Sequence, residues 1–333
     1  MNKQTLIEGI IYGSALGDGW GYVTEFWNIK KIKRKQPQVP DPLFISDDTQ
    51  MHIYTIIALD RIYSAFPNLN TSIQNDFVQN EVRKIFAEEY VKFYNDPDNT
   101  RAPGMTCMTS LKKYQKAFGH LTGREGALGN DSLGCGTIMR SPWLGLDSRL
   151  NKDTLIYLAI LQAQTTHDHE KGWFVSALAS LIIHDLVYEN SVNNPEELVN
   201  ILQSQYDVIA EHNFSFSKST LVEVWEDLML IVETQDQFKE YTGDPCVIYG
   251  DGWAADEAFY TSFAVTLKHF DDPTRVIRDL VYTRGDSDSL ASLGAAFSNA
   301  IHPLKNMRTF VEPRLEPRYA IELGAIAEYF CEK

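Results

Sequence analysis

The chain has 333 residues, of which 44% are hydrophobic and 23% are charged, a composition typical of globular proteins. Its 30 Lys and Arg residues against 45 Asp and Glu residues give a formal net charge of −15. This excess of negative charge argues against general binding to nucleic-acid backbones and to anionic membrane surfaces. Carboxylates are, however, the ligands that hard divalent cations require.

The sequence favours a cytoplasmic protein, and a secreted effector that uses a non-cleaved export route would look identical. Its four cysteines are widely scattered and form no CxxC pair, so no zinc site or disulfide framework is expected. The first apolar run is short, contains Glu8 and is followed by Gly17-Asp18-Gly19, a pattern unlike that of a signal peptide. No stretch has the roughly 18–20 apolar residues that a membrane-spanning helix needs.

Helical periodicity dominates the chain, because apolar residues recur at spacings of mostly two to four residues. In chain order, helices are predicted over residues 3–16, 49–65, 75–94, 105–117, 153–187, 195–211, 217–233, 253–269, 273–283, 287–301 and 317–331. Only short stretches such as 246–249 resemble strands, and strands do not alternate with helices. The sequence therefore predicts an all-α, single compact multi-helix domain over residues 1–333, with functional residues in its loops.

Two segments are unusually acidic for helix starts. Ser46–Thr49 and Gly285–Ser289 each place two aspartates among hydroxyl residues. Such residues cap helix N-termini, but they are also hard ligands for divalent cations, and two such clusters together could hold two ions. On spacing alone, capping and metal binding both account for them. A third segment, Gly17–Glu25, is predicted to be a glycine-rich turn that leads from the first helix to a carboxylate.

Five sequence blocks carry a family resemblance. They are Gly-Ser-Ala-Leu-Gly-Asp-(x)₆-Glu-Phe at 13–26, Ser-Asp-Asp-Thr at 46–49, Gly-Cys-Gly-Thr-Ile-Met-Arg-Ser-Pro at 134–142, Thr-His at 166–167 and Gly-Asp-Ser-Asp-Ser at 285–289. Softer matches lie at 101–104 and 252–258. In this order the blocks resemble the ADP-ribosylglycohydrolase family, all-α proteins that use two divalent cations. Residues 186–250 match this family least well and are the predicted lineage-specific part.

The resemblance implies a loop-built cleft with a binuclear metal site, occupied by two Mg²⁺ ions or alternatively Mn²⁺. The implied metal ligands are Ser46, Asp47, Asp48, Asp286, Asp288 and Ser289. Glu25, which matches the glutamate beside the metals and the scissile bond, is implied to be catalytic together with Asp47 and Asp286. Ser289 stands where many members have Thr, which keeps the hydroxyl group.

The resemblance also implies a substrate pocket. Its residues are Gly134, Cys135, Gly136 and Thr137 in a ribose and phosphate cradle, His167 in the pocket, and Trp253 as a candidate to stack on adenine. For Trp253, simple packing at a helix start is the alternative. Cys135 stands where many members have Asn, and this departure is expected to shift specificity rather than to abolish activity.

The implied function is hydrolysis of the bond between ADP-ribose and a protein side chain, with arginine as the first choice, by attack of metal-activated water at the anomeric carbon. The implied partners are an ADP-ribosylated protein and, for an immunity-type member, an ADP-ribosylating toxin that the chain could also neutralise by occlusion. A monomer is the default expectation. A lesser alternative, an HD-type metal phosphohydrolase, comes from Thr166–Glu170. On a helix, however, His167 and His169 would point apart.

Overall fold

The computed structural model describes residues 2–116 and 123–332, and this part of the chain is helical. Its only strand pairing consists of two isolated bridges, Leu43 with Leu315 and Gly134 with Ala254. None of its helices combines the length and the apolar character needed to cross a bilayer. The prediction of an all-α, single helical domain is confirmed.

The helices of the described residues follow one another in chain order, joined by loops. They are α1 Lys3–Gly21, α2 Ile29–Lys35, α3 Asp47–Ala65, α4 Leu69–Ser72, α5 Asp76–Tyr94, α6 Met105–Lys116, α7 Lys152–Gln164, α8 Glu170–Tyr188, α9 Pro195–Ala210, α10 Lys218–Glu240, α11 Cys246–Tyr249, α12 Ala255–Lys268, α13 Pro273–Val281, α14 Ser287–Ile301, α15 Met307–Val311 and α16 Pro317–Glu332. Short 3₁₀ turns lie at Cys135–Thr137, Pro142–Leu146 and Glu312–Arg314. The last residue of the helix predicted at 105–117 lies outside the described residues.

The single helix predicted at 153–187 is two helices in the structure. The apolar periodicity of 153–187 continues through α7 and α8, but the chain breaks between them. The break coincides with two local contacts: the buried Arg140 guanidinium donates to the Gln162 carbonyl at 2.8 Å, and the His169 side chain caps α8 by accepting from the Lys171 N–H at 3.2 Å. Periodicity alone shows neither contact, because both depend on side chains at particular positions.

Two further predictions about local structure need correction. The strand-like residues 246–249 form the short helix α11, which ends at Gly250 with a φ of 106°, a left-handed conformation that favours glycine. The turn predicted at Gly17–Glu25 begins later than expected, since α1 continues to Gly21 and only residues 22–26 form turns. The basic residues 30–35 lie in helix α2.

The reason that α1 contains so many glycines is its contact with α14. A β-carbon on Gly17 would collide with the backbone of Ala291, and one on Gly21 would collide with the backbone of Ser287. Because later residues of α1 face earlier residues of α14, the two helices are antiparallel. The C-terminal end of α1 therefore lies against the N-terminal end of α14, where the acidic block at 285–289 begins.

This contact predicts a reversal of the usual effect of glycine substitution. Gly17→Ala in an ordinary helix would add about 1 kcal/mol of stability. Here we expect it to lower the free energy of unfolding by about 1–3 kcal/mol, because the added methyl group overpacks the contact between α1 and α14. Urea unfolding measures the difference. Gly104→Ala is the matched control, since a β-carbon there meets nothing within 4 Å, and a similar loss in both variants would contradict the prediction.

Helices α9 and α10 fill much of residues 186–250. Helix α9 packs on α8, while α10 packs mainly on α12 and also contacts α8 and α9. They lie in the same hydrophobic core as the rest of the chain through residues such as Leu202 and Leu228. That this stretch is lineage-specific stays a prediction.

Candidate functional site

The fold brings the predicted acidic residues into one buried cluster. One carboxylate oxygen each from Glu25, Asp286 and Asp288 lies within 4.8 Å of the others. Asp47 and Asp48 enter from the start of α3 and line the same pocket as Glu25 and Asp286. Because the acidic residues of α3 and α14 lie at helix N-termini, the helix dipoles partly compensate their charge.

A carboxylate that the metal prediction did not include organises one side of the cluster. Asp18 is fully buried in α1 and accepts from the Ser46 N–H at 2.9 Å and the Thr49 N–H at 3.1 Å. The Thr49 hydroxyl donates to it at 2.5 Å. These bonds fix the loop that enters α3, so Asp18 positions the residues on either side of Asp47. Its place in the first sequence block, between two glycines, was the available signal.

Hydroxyl groups fix the other side of the acidic cluster, where the loop after α1 meets the start of α14. The Thr24 hydroxyl lies 2.8 Å from the Val281 carbonyl and 3.0 Å from the Ser287 hydroxyl, which itself donates to the Gly21 carbonyl at 2.8 Å. These bonds tie the loop after α1 to the start of α14. Glu25, the residue after Thr24, is thereby held beside the aspartates of α14.

Capping explains only part of the two acidic segments. The Ser46 hydroxyl does cap α3, because it accepts from the Asp48 N–H at 3.2 Å. Asp286 is the N-cap residue of α14, but its side chain makes no capping hydrogen bond. Its carboxyl group instead lies in the cluster with Glu25 and Asp288.

The donor set fits divalent cations. Three buried oxygens, Glu25 Oε2, Asp48 Oδ2 and Asp288 Oδ1, have no hydrogen-bond partner. Within residues 2–116 and 123–332, no Lys or Arg forms an ion pair with the cluster. Unpaired buried carboxylates are costly, and hard cations such as Mg²⁺ or Mn²⁺ are the partners that oxygen ligands prefer. The residues present therefore fit a metal centre.

Burial and mutual repulsion dominate the electrostatics of the cluster. Burial, followed by the charges of Asp288, Asp47 and Asp18, raises the pKa of Glu25 to about 9. Burial and the charge of Asp288 also raise the pKa of Asp286 and that of Asp47. Without compensating positive charge, the cluster therefore keeps protons at neutral pH.

A pocket of about 210 Å³ opens beside the cluster. The 134–136 loop lines one side of this pocket. A hydrogen bond from the Cys135 N–H to the Trp253 carbonyl, at 2.9 Å, connects this loop to the segment before α12. The Cys135 thiol donates to Asp286 Oδ2 at 3.0 Å and so joins the pocket to the carboxylates. Burial and the Asp286 charge raise the pKa of this thiol, which keeps it a hydrogen-bond donor.

Of the other residues predicted for the site, several line the pocket and Thr137 does not. Ser289 lines it together with Gly134, Gly136 and His167. The Thr137 side chain is buried outside the lining, with its hydroxyl 3.4 Å from the Gly172 carbonyl of α8.

Trp253 lies at the edge of the pocket. The residue is 44% exposed, and its ring stacks on that of Phe26, with ring centroids 6.1 Å apart and an interplanar angle of 19°. It is therefore neither a core residue nor already enclosed by the protein. Its contact with adenine stays a prediction.

The segment 166–170 does not form a shared histidine site. Its first residues lie in the break between α7 and α8, so the helical geometry assumed for them was wrong. His167 faces the pocket, Asp168 pairs with Arg124 at 3.1 Å, and His169 caps α8. Since these side chains have separate partners, the geometry gives no support to the HD-type alternative.

The comparisons with known proteins agree with the sequence blocks. The family model for ADP-ribosylglycohydrolase matches residues 1–327. The chain belongs to the ADP-ribosylglycohydrolase family. This is a family of metal-dependent hydrolases, and the acidic cluster of this member could hold metal.

Individual relatives are more distant. The chain is 29% identical over 209 residues to the ADP-ribosylhydrolase ARH1 of Dictyostelium discoideum, a match that covers 55% of this chain and 47% of that protein. The matched region thus spans about half the length of this curated relative. A solved structure described as an ADP-ribosylglycohydrolase-related protein complex is similar in fold, with a TM-score of 0.59, 18% identity, and coverage of 100% of this chain and 99% of the other.

Proposed function

We propose that this member of the family hydrolyses the bond between ADP-ribose and a modified protein side chain, with arginine as the first choice of linkage. The observation that carries the proposal is the buried cluster of carboxylates with three unpartnered oxygens, placed beside a pocket walled by a glycine loop. A protein that only occluded a toxin would have no need for such a cluster.

The cofactors that we propose are two Mg²⁺ ions, with Mn²⁺ as the alternative. The residues that would hold them are Ser46, Asp47, Asp48, Asp286, Asp288 and Ser289. When bound, such ions supply Lewis acidity and lower the pKa of a coordinated water. Glu25 lies close enough to Asp286 and Asp288 that it could also contribute an oxygen.

Glu25 is the proposed general base. It is buried, it lines the pocket, and its Oε2 atom is free of hydrogen bonds within the protein. Once the charge of the neighbouring aspartates is compensated, its pKa falls and it can accept a proton from an attacking water. Its negative charge would also stabilise the oxocarbenium-like character of the sugar in the transition state.

The 134–136 loop is the proposed cradle for the ribose and phosphates. A β-carbon on Gly136 would lie 2.6 Å from the Cys107 sulfur, and one on Gly134 would lie 3.1 Å from Nε2 of His167. The loop therefore has no room for side chains on its inner face. The Gly134 N–H already donates to the Ser132 hydroxyl at 3.3 Å and the Cys135 N–H to the Trp253 carbonyl, so the proposed cradle rests on close approach of a ligand to the glycine backbone rather than on a set of free N–H groups.

The double substitution Asp47→Ala with Asp286→Ala tests the proposal. We expect release of ADP-ribose from ADP-ribosylarginine protein to fall at least about a hundredfold, because both halves of the metal centre lose a carboxylate. Circular dichroism checks that the helices remain. Binding to an ADP-ribosylating toxin is measured in parallel.

Hydrolysis of ADP-ribose linkages and occlusion of a toxin predict different results in this experiment. Loss of release with retained toxin binding would show that catalysis and occlusion are separate properties. Release at the unsubstituted rate would contradict the proposed metal mechanism. Repeating the assay with serine-linked, acetyl-ester-linked and nucleic-acid-linked ADP-ribose identifies the linkage, and no release from any of them by the unsubstituted protein would favour the occlusion hypothesis.

A further inference from the structure

A buried arginine lies behind the pocket without a carboxylate partner. Arg140 is fully buried, and among the described residues no Asp or Glu lies within ion-pair distance of its guanidinium. Its partners are neutral: Gln162 Oε1 at 2.6 Å, the Gln162 carbonyl at 2.8 Å, the Thr166 hydroxyl at 2.8 Å and the face of the Tyr90 ring at 4.3 Å. Burying an unpaired charge is costly, so its position next to an expected anionic ligand requires an explanation.

The hydrogen-bond capacities of these groups fix the direction of a short chain of bonds. A guanidinium can only donate, so the Thr166 oxygen accepts from Arg140. The neighbouring Cys107 sulfur is only a weak acceptor, and burial raises the pKa of this thiol, which therefore stays protonated. The hydroxyl proton of Thr166 is then left for Nδ1 of His167, 2.8 Å away.

The consequence for His167 is a single tautomer. Burial and the positive charge of Arg140 lower the pKa of this imidazole to about 3, so the ring is neutral. A neutral imidazole that accepts at Nδ1 carries its proton on Nε2. The Nε2 atom faces the glycine loop, since a β-carbon on Gly134 would lie 3.1 Å from it.

We propose that Arg140 and Thr166 are positioning residues that hold His167 as a neutral Nε2–H donor toward an acceptor oxygen of the ligand in the 134–136 loop. The buried charge of Arg140 complements the phosphates of that ligand without contacting them. The identity of the ligand as ADP-ribose rests on the proposed function, whereas the tautomer is a property of the free protein.

The test compares two substitutions of Thr166. Thr166→Val keeps the shape of the side chain but removes the hydroxyl group, and Thr166→Ser keeps the hydroxyl group. Nitrogen-15 NMR of the histidine-labelled full chain reports the tautomer, with the His167 signals assigned by their loss in His167→Gln. We expect the Nε2–H form in the unsubstituted protein and in Thr166→Ser, and a population of the Nδ1–H form in Thr166→Val.

Binding of free ADP-ribose is the second readout. We expect Kd to rise about tenfold in Thr166→Val and less than about twofold in Thr166→Ser, since one oriented hydrogen bond is lost only in the former. A proton on Nδ1 of the unsubstituted protein, or an unchanged tautomer and Kd in Thr166→Val, would overturn the inference. A protein with the predicted tautomer that binds no ADP-ribose would instead overturn the proposed function, so the two failures are distinguishable.

Discussion

Asp288→Asn is expected to stabilise the metal-free protein and to remove most of the stabilisation that Mg²⁺ confers. Among the neighbouring charges, that of Asp288 makes the largest contribution to raising the pKa of Glu25, of Asp47 and of Asp48. A neutral amide relieves this repulsion, which we expect to add about 1–2 kcal/mol to the free energy of unfolding without metal. In the unsubstituted protein, Mg²⁺ at a hundred times its Kd adds about 2.7 kcal/mol.

The order of stability of the two proteins should therefore reverse when metal is added, as thermal or urea unfolding in EDTA and in Mg²⁺ would measure. Asp185→Asn is the matched control, because Asp185 is equally buried but pairs with Lys152 at 3.1 Å, outside the cluster. This control should lose the same stability with and without metal. An unsubstituted protein that Mg²⁺ and Mn²⁺ both fail to stabilise would contradict the account.

Glu25→Gln is expected to lower the rate of ADP-ribose release by a factor of about 10²–10⁴, the usual contribution of a general base. The amide keeps the shape of the side chain and one oxygen, but it cannot accept a proton from water. The aspartates of α3 and α14 remain, so we expect most of the stabilisation by Mg²⁺ to persist. Rates at saturating substrate and unfolding with and without Mg²⁺ separate the two effects.

Glu8→Gln provides the comparison for this substitution, since Glu8 lies near the other end of α1 and should not affect release. A Glu25→Gln protein with the unsubstituted rate would exclude Glu25 as the base. If it lost both the rate and the response to Mg²⁺, the role of Glu25 would be that of a metal ligand, in agreement with its closeness to Asp286 and Asp288.

The sequence predicts those parts of the site that depend on residues close together in the chain. Ser46–Asp48 and Asp286–Ser289 are each readable as polar residues at the start of an apolar helix, and the structure places both at helix N-termini. That the two segments meet depends on the antiparallel contact of α1 with α14. Residue spacing did not show this contact, and the resemblance to the family supplied the expectation that the two segments form one site.

The parts that the sequence missed depend on tertiary contacts. Asp18 looks like one more polar residue in a glycine-rich segment until α3 is placed beside it. The glycines of α1 are typical of a turn unless α14 lies close enough to require them. Arg140 is a buried cation whose partners, Gln162 and Thr166, lie more than 20 residues away in sequence, so no short pattern identifies it.

The acidic cluster accounts for part of the net charge of −15. Asp47, Asp48, Asp286 and Asp288 are buried and concentrated at one place rather than spread over a solvated surface. Two bound dications would compensate the formal charge of these four residues. A protein whose net charge disfavours nucleic-acid backbones could thus still hold an anionic ligand such as ADP-ribose.

The measurement that most directly tests the central claim is release of ADP-ribose from ADP-ribosylarginine protein by the EDTA-treated chain, followed by addition of excess Mg²⁺ to the same sample. The account predicts no release above the uncatalysed rate in EDTA and recovery of release with Mg²⁺, because the buried carboxylates need the cations for catalysis. Equal release before and after addition of Mg²⁺ would contradict it.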